Sequence, residues 1–133
     1  MKCLPFAERI WHCPYIIIYY SDDGQLFGEN YKEYGVIWLN GESWGEVEGF
    51  TNKITVNKTG DFPGWDKWKE DNKEGRKCHI NISIMDNNVK LVTLFGGLKI
   101  ENITEIEADK KIYVAISGDL CVIENINVNN ILQ

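Results

Sequence analysis

Histidine is nearly absent from these 133 residues. Only His12 and His79 occur, and each adjoins a cysteine, in His12-Cys13 and Cys78-His79. Neighbouring side chains of an extended strand point to opposite faces, so neither dipeptide is expected to converge on a metal ion or to form a Cys–His nucleophile pair. The four cysteines (Cys3, Cys13, Cys78 and Cys121) include no C-x2-C pair, which removes the common zinc spacing. Without an export signal they are expected to be reduced, mostly buried thiols, with a disulfide as the competing reading. Long apolar runs are missing as well. The longest covers Tyr15 to Tyr20, far too short to cross a bilayer as a helix. The opening MKCLPFAERIWHC places Pro5, Glu8 and Arg9 where a secretory signal carries an unbroken apolar stretch. The chain as written is therefore expected to be cytoplasmic or to be a module of a longer protein.

Clustered positive charge is lacking too. Fourteen Lys and Arg stand against twenty Asp and Glu, for a net charge of −6. The loose basic group at 67–77 is interleaved with Asp66, Glu70, Asp71 and Glu74. Nucleic acid and anionic membrane surfaces are poor partners for such a chain, because phosphates call for concentrated Lys and Arg. No glycine-rich loop leads into a helix to cradle a phosphate, and no segment repeats. Twenty carboxylates ensure some pairs at the roughly 5–10 Å separation of glycoside hydrolysis, but no spacing selects one pair. Catalytic residues and cofactors are not expected. The one metal option is a structural calcium ion at Ser21-Asp22-Asp23-Gly24, which resembles part of a calcium loop but lacks its alternating acids and distal Glu; an ordinary turn is the competing reading.

What the chain does have is β pattern. Tyr15–Tyr20, Tyr34–Asn40, Lys53–Asn57, His79–Met85, Val89–Phe95, Leu98–Glu107, Ile112–Ser117 and Cys121–Val128 are rich in β-branched and aromatic residues or alternate in polarity. Asp86-Asn87-Asn88 and Gly96-Gly97 supply tight turns. One short helix is predicted from Gly64 to Gly75, with Asp66 in its first turn, Lys73 in its last, and Trp65 and Trp68 on one face docking it to the rest. Residues before Cys13 read as irregular or as a single edge segment. Short strands at this spacing, with no βαβ rhythm, predict one all-β domain over 1–133: an antiparallel β-sandwich, jelly-roll-like, with one short helix.

The second positive feature is an imbalance. Fourteen of sixteen aromatic residues precede position 70, including all five Trp. Strand parity puts Gly35, Ile37 and Leu39 on a core face and Tyr34, Val36 and Trp38 on the other; Ile16 and Ile18 are core, with Tyr15, Ile17 and Tyr19 opposite. If these two strands share a sheet, Tyr15, Tyr19, Tyr34 and Trp38 line one surface, with Trp44 at its rim. Rigid amphipathic rings on a β scaffold suit flat apolar ligands such as sugar rings. The candidate ligand contacts are Trp38, Trp44, Tyr31 and Trp11, with Glu33 and Glu42 hydrogen-bonding hydroxyls. The alternative is a regulatory or protein-interaction domain, attached for instance to a bacterial signalling protein, that uses the same aromatic surface on a protein partner.

Three stretches carry a resemblance: Gly28-x-Asn30-Tyr31-x-Glu33-Tyr34 leading to Leu39-Asn40-Gly41-Glu42-x-Trp44-Gly45; Gly64-Trp65-Asp66-x-Trp68-Lys69 before Asn72-Lys73-x-Gly75; and Ile112-Tyr113-Val114-Ala115-Ile116-Ser117-Gly118-Asp119. In order and spacing they resemble carbohydrate-binding-module-like β-sandwich accessory domains of gut and rumen Firmicutes. The resemblance implies a jelly-roll-like fold and non-catalytic binding of a glycan, with Tyr31, Glu33, Glu42 and Trp44 on its shared motif.

Overall fold

The structure is a computed structural model describing residues 2–5, 13–45, 47, 49–72, 74–107, 111–118 and 121–124. Its strands are β1 (Lys2–Pro5), β2 (Pro14–Tyr20), β3 (Lys32–Trp38), β4 (Ser43–Trp44) and β5 (Asn52–Lys58), followed by α1 (Trp65–Asn72). After the helix come β6 (Arg76–Met85), β7 (Asn88–Phe95), β8 (Leu98–Glu105), β9 (Tyr113–Gly118) and β10 (Cys121–Glu124). They form two sheets, one of six strands in the order β10-β1-β6-β7-β8-β5 and one of four in the order β4-β3-β2-β9. Every ladder is antiparallel.

The pairings nest: β10 returns to β1, β9 to β2, β8 to β5 and β7 to β6. A chain that folds back on itself in this way is a jelly-roll-like β-sandwich, the architecture expected from the strand pattern. No described helix is long and apolar enough to cross a membrane.

Local chemistry explains the hairpins. Gly96 and Gly97, at φ +59° and +79°, supply the left-handed pair that a two-residue turn needs, and Phe95 then faces Leu98 across the ladder. Asp86, at φ +52°, opens the other tight turn with a side chain that tolerates that conformation. The helix stops as its sequence implies: Gly75 sits at φ +84° and its N–H donates to the Asn72 carbonyl.

Alternation sends Val89, Leu91 and Phe95 of β7 and Leu98 and Ile100 of β8 inward against Ile16, Ile18, Ile37 and Leu39. Each such fully buried large side chain contributes about 1.5–3 kcal/mol. The helix closes this core through Trp68, which is fully buried edge-on to Trp65 and Phe95, as the Trp65/Trp68 spacing suggested. The Arg76 guanidinium covers the Trp68 and Phe95 rings and donates to the Trp68 carbonyl. Cys78 is buried and its neighbour His79 exposed, as opposite strand faces require, and Cys13 is buried as well. His12 lies outside the described residues.

Two elements depart from the sequence expectation. The chain start supplies β1, an interior strand held between β10 and β6 rather than an edge. Its partner β10 lies at the far end of the sequence, so nothing local announced the pairing. Residues 43–44, expected in a loop, form a minimal fourth strand on β3.

Polar residues also enter the sandwich. Asn102 and Thr104 are fully buried; Asn102 Nδ2 donates to Asn52 Oδ1 at 2.7 Å. The Thr104 hydroxyl lies 2.9 Å from Asn52 Oδ1 and 2.7 Å from Asn102 Oδ1, its single proton serving one acceptor at a time. Gly35 makes room for this cluster, since a Cβ there would come within 3.0 Å of Thr104 Oγ1. Asn52 then donates from Nδ2 to the Trp44 carbonyl at 3.2 Å, tying β4 to the interior.

A candidate ligand-binding face on the four-stranded sheet

The outer face of the four-stranded sheet is aromatic because β2 alternates ring or branched side chains outward while Ile16 and Ile18 fill the core. Ile17, Tyr19 and Val36 form its buried floor. Two rows of rings run across this face, the second through Tyr19 of the floor itself. In one, Tyr15 stacks on Trp38 at 5.2 Å between centroids, and Trp38 meets Trp44 at 4.2 Å. In the other, Tyr113, Tyr19, Tyr31 and Phe27 follow one another at 5.6, 5.6 and 5.0 Å.

Glu33 joins the rows. Its Oε2 accepts from the Tyr31 hydroxyl at 2.6 Å and its Oε1 from the Trp44 indole N–H at a longer 3.4 Å. Between the rows lies an open concavity of about 280 Å³ lined by Tyr15, Ile17, Phe27, Glu33, Val36, Trp38 and Trp44. Glu33 is its only charged lining residue among those described.

A bulge decides which residues reach this face. Along the β2–β3 ladder Ile18 faces Gly35 but Tyr19 faces Glu33, leaving Tyr34 as the extra residue. The inserted residue shifts the alternation. Tyr34, expected from parity on the aromatic surface, instead turns into the core at 2% exposure and packs edge-on against Phe50. Burial, reinforced by the nearby Glu107 carboxylate, pushes its hydroxyl pKa up to about 12. The same shift delivers Glu33 to the outer face.

The loop from Ser21 to Tyr31 forms one wall. Tyr19 Oη donates to the Gly24 carbonyl at 2.7 Å and Ser21 Oγ to the Gln25 carbonyl at 2.8 Å. Asp22 accepts from Tyr20 Oη on Oδ1 and from Asn30 Nδ2 on Oδ2, and Asp23 Oδ1 caps the Gln25 N–H. The Asp22 hydrogen bond holds the Tyr20 hydroxyl above its ordinary pKa. Both acids of the calcium-like stretch thus serve as turn acceptors, and no three His, Cys, Asp or Glu gather among the described residues. Phe27 crowns the loop at 71% exposure and φ +58°, a left-handed conformation uncommon for a bulky residue.

Of the residues singled out in the sequence, Trp38, Trp44 and Glu33 line the concavity. Trp44 is 48% exposed and Trp38 half-buried beside it. Tyr31 stands behind, packed on Tyr19 and Phe27 and hydrogen-bonded to Glu33. Glu42 is not brought in: it is exposed in the turn after β3, where its carbonyl accepts from the Trp38 N–H and its own N–H donates to Asn40 Oδ1. Trp11 lies outside the described residues. Phe27 was missed altogether; a large ring beside Gly28 in a turn-rich stretch was the available signal. Tyr113 was legible only as part of a strand, because its place beside Tyr19 depends on the β2–β9 pairing.

A larger hollow of about 580 Å³ on the six-stranded sheet is lined by Thr59, His79, Ile80, Asn81, Val92, Thr93, Leu94 and Lys99. Its described lining holds no Phe, Tyr or Trp ring, so stacking chemistry favours the smaller site. The chain matches no protein-family model, no curated protein and no solved structure.

Proposed function

We propose that this protein is a non-catalytic binding module that recognises a polysaccharide or oligosaccharide by aromatic stacking. The observation carrying this reading is the row Tyr15–Trp38–Trp44, set beside the Glu33 carboxylate on a sheet face that no second sheet covers among the described residues. Pyranose rings present flat C–H faces to such rings and hydroxyls to such a carboxylate. A single lining carboxylate among the described residues suits hydrogen bonding rather than paired acid–base work. The resemblance to carbohydrate-binding-module-like accessory domains points the same way.

Each stacked ring is worth about 1–3 kcal/mol, by analogy with base–aromatic stacking, so affinity should be modest and multivalent ligands favoured. Affinity electrophoresis against soluble glucans, xylans and mannans tests the reading. Retardation by at least one of them, lost in Trp38→Ala with an unchanged circular dichroism spectrum, is expected; uniform mobility on every glycan refutes it.

One feature favours the alternative of a protein partner. Phe27 projects from its loop tip as protein hot-spot rings do. Uniform mobility on glycans combined with a Phe27-dependent dimer in light scattering would select that reading.

A further inference from the structure

We propose, building on the glycan reading above, that the preferred ligand is a cationic amino sugar, a glycan bearing free amines, whose ammonium sits against Glu33 while its ring lies on Trp38 and Trp44. Three observations converge. The Glu33 carboxylate is fixed between two rings by Tyr31 Oη and Trp44 Nε1. No Lys, Arg or His among the described residues lines the concavity or makes an ion pair with Glu33. The chain as a whole carries −6.

A carboxylate with no counter-ion among the described residues, in a concavity lined by aromatic rings, attracts a cation twice over. The carboxylate gives a charge-assisted hydrogen bond, roughly twice as strong as a neutral one. The negative ring faces add cation–π attraction. A neutral sugar collects neither benefit, and a uronic acid would bring its charge against Glu33. The two donors already on Glu33 leave its remaining lone pairs for the ligand. Tyr31 and Trp44 also hold the carboxylate in position before binding, which reduces the ordering cost.

The experiment is titration calorimetry of the full chain in mildly acidic buffer, where the amine is protonated. The probes are a glucosamine oligomer, the N-acetylglucosamine oligomer of equal length, a cello-oligosaccharide and an oligogalacturonate, with choline as a cation lacking a sugar ring. The glucosamine oligomer should bind at least tenfold tighter than the other three saccharides and tighter than choline. Its affinity should fall as salt rises. Glu33→Gln should reduce the ratio between the glucosamine and N-acetylglucosamine affinities to near one, and Glu33→Ala should do the same if the amide perturbs the rings.

Equal or tighter binding of the neutral or anionic sugars, or a preference that survives both substitutions, overturns the amino-sugar inference and leaves the glycan reading standing. Choline binding as tightly as the glucosamine oligomer overturns the sugar specificity. Failure of all four saccharides overturns the glycan reading itself.

Discussion

The sandwich has two outer faces, and they differ in kind. On the six-stranded sheet the outward positions of β5 to β8 are Lys53, Thr55, Asn57, His79, Asn81, Lys90 and Lys99, broken only by scattered apolar residues such as Leu94 and Ile103. Isolated exposed aliphatics of this sort are ordinary on soluble proteins. On the four-stranded sheet the outward positions are occupied by touching rings over a buried apolar floor, with a carboxylate pinned among them. Folding alone asks for the first kind of face. The second buries Ile17, Tyr19 and Val36 beneath side chains that themselves remain partly open, and it keeps Trp44 half in water at no evident gain to the core. That contrast is the ground on which the aromatic face is proposed as the ligand-binding one.

Substitutions graded by position test the contrast. The largest effect is expected beneath both faces: Ile37→Ala, which hollows the shared core, should cost about 2–5 kcal/mol in urea unfolding. Asn52→Ala should cost about 1–3 kcal/mol, because buried Asn102 Nδ2 loses its acceptor while Thr104 keeps Asn102 Oδ1. It should also weaken glycan retardation by freeing β4 and Trp44, a second readout that a purely structural role would not move. Trp44→Ala should leave stability nearly unchanged while lowering glycan affinity about tenfold, one ring's stacking worth. Leu94→Ser on the opposite face should shift stability by less than about 0.5 kcal/mol and leave binding untouched. Loss of glycan binding in Leu94→Ser would exchange the roles assigned to the two faces.

Tyr34 gives a pH test of the bulge. Its proton is held more tightly in the folded chain, with a pKa of about 12 against an ordinary 10.0. The associated stabilisation is complete below pH 10 and is lost as pH rises through 12. Wild type should therefore lose stability across that window more steeply than Tyr34→Phe, measured by denaturant unfolding at each pH. Parallel slopes for the two proteins would place Tyr34 in water rather than in the core.

Much of this was legible in the residues themselves. The run PYIIIYY and the alternation in RKCHINISIM specify strands, Asp86 and Gly96-Gly97 specify turns, and Gly64 and Gly75 bracket the helix. Trp38 was legible as a site candidate because it lies off the core parity of its strand. Trp44 and Glu33 were candidates by residue type and by the resemblance, strand parity alone placing Glu33 with the core residues. Tyr34 turned to the other face, Glu42 lies away from the concavity and Phe27 was missed, for two reasons. Parity assumes an unbroken ladder, and a single inserted residue at Tyr34 reverses it. Glu42 and Phe27 lie in turns, where no period predicts direction.

Composition and local periodicity thus determined the fold class, the strand inventory and the crowding of rings into the first half of the chain, since these follow from side-chain shape and polarity over a few residues. The tertiary structure alone decided that β9 and β2 pair, that a bulge exchanges Tyr34 for Glu33, and that Asn52 reaches from the core to Trp44. Those outcomes depend on contacts between distant segments, whose registers no local pattern encodes.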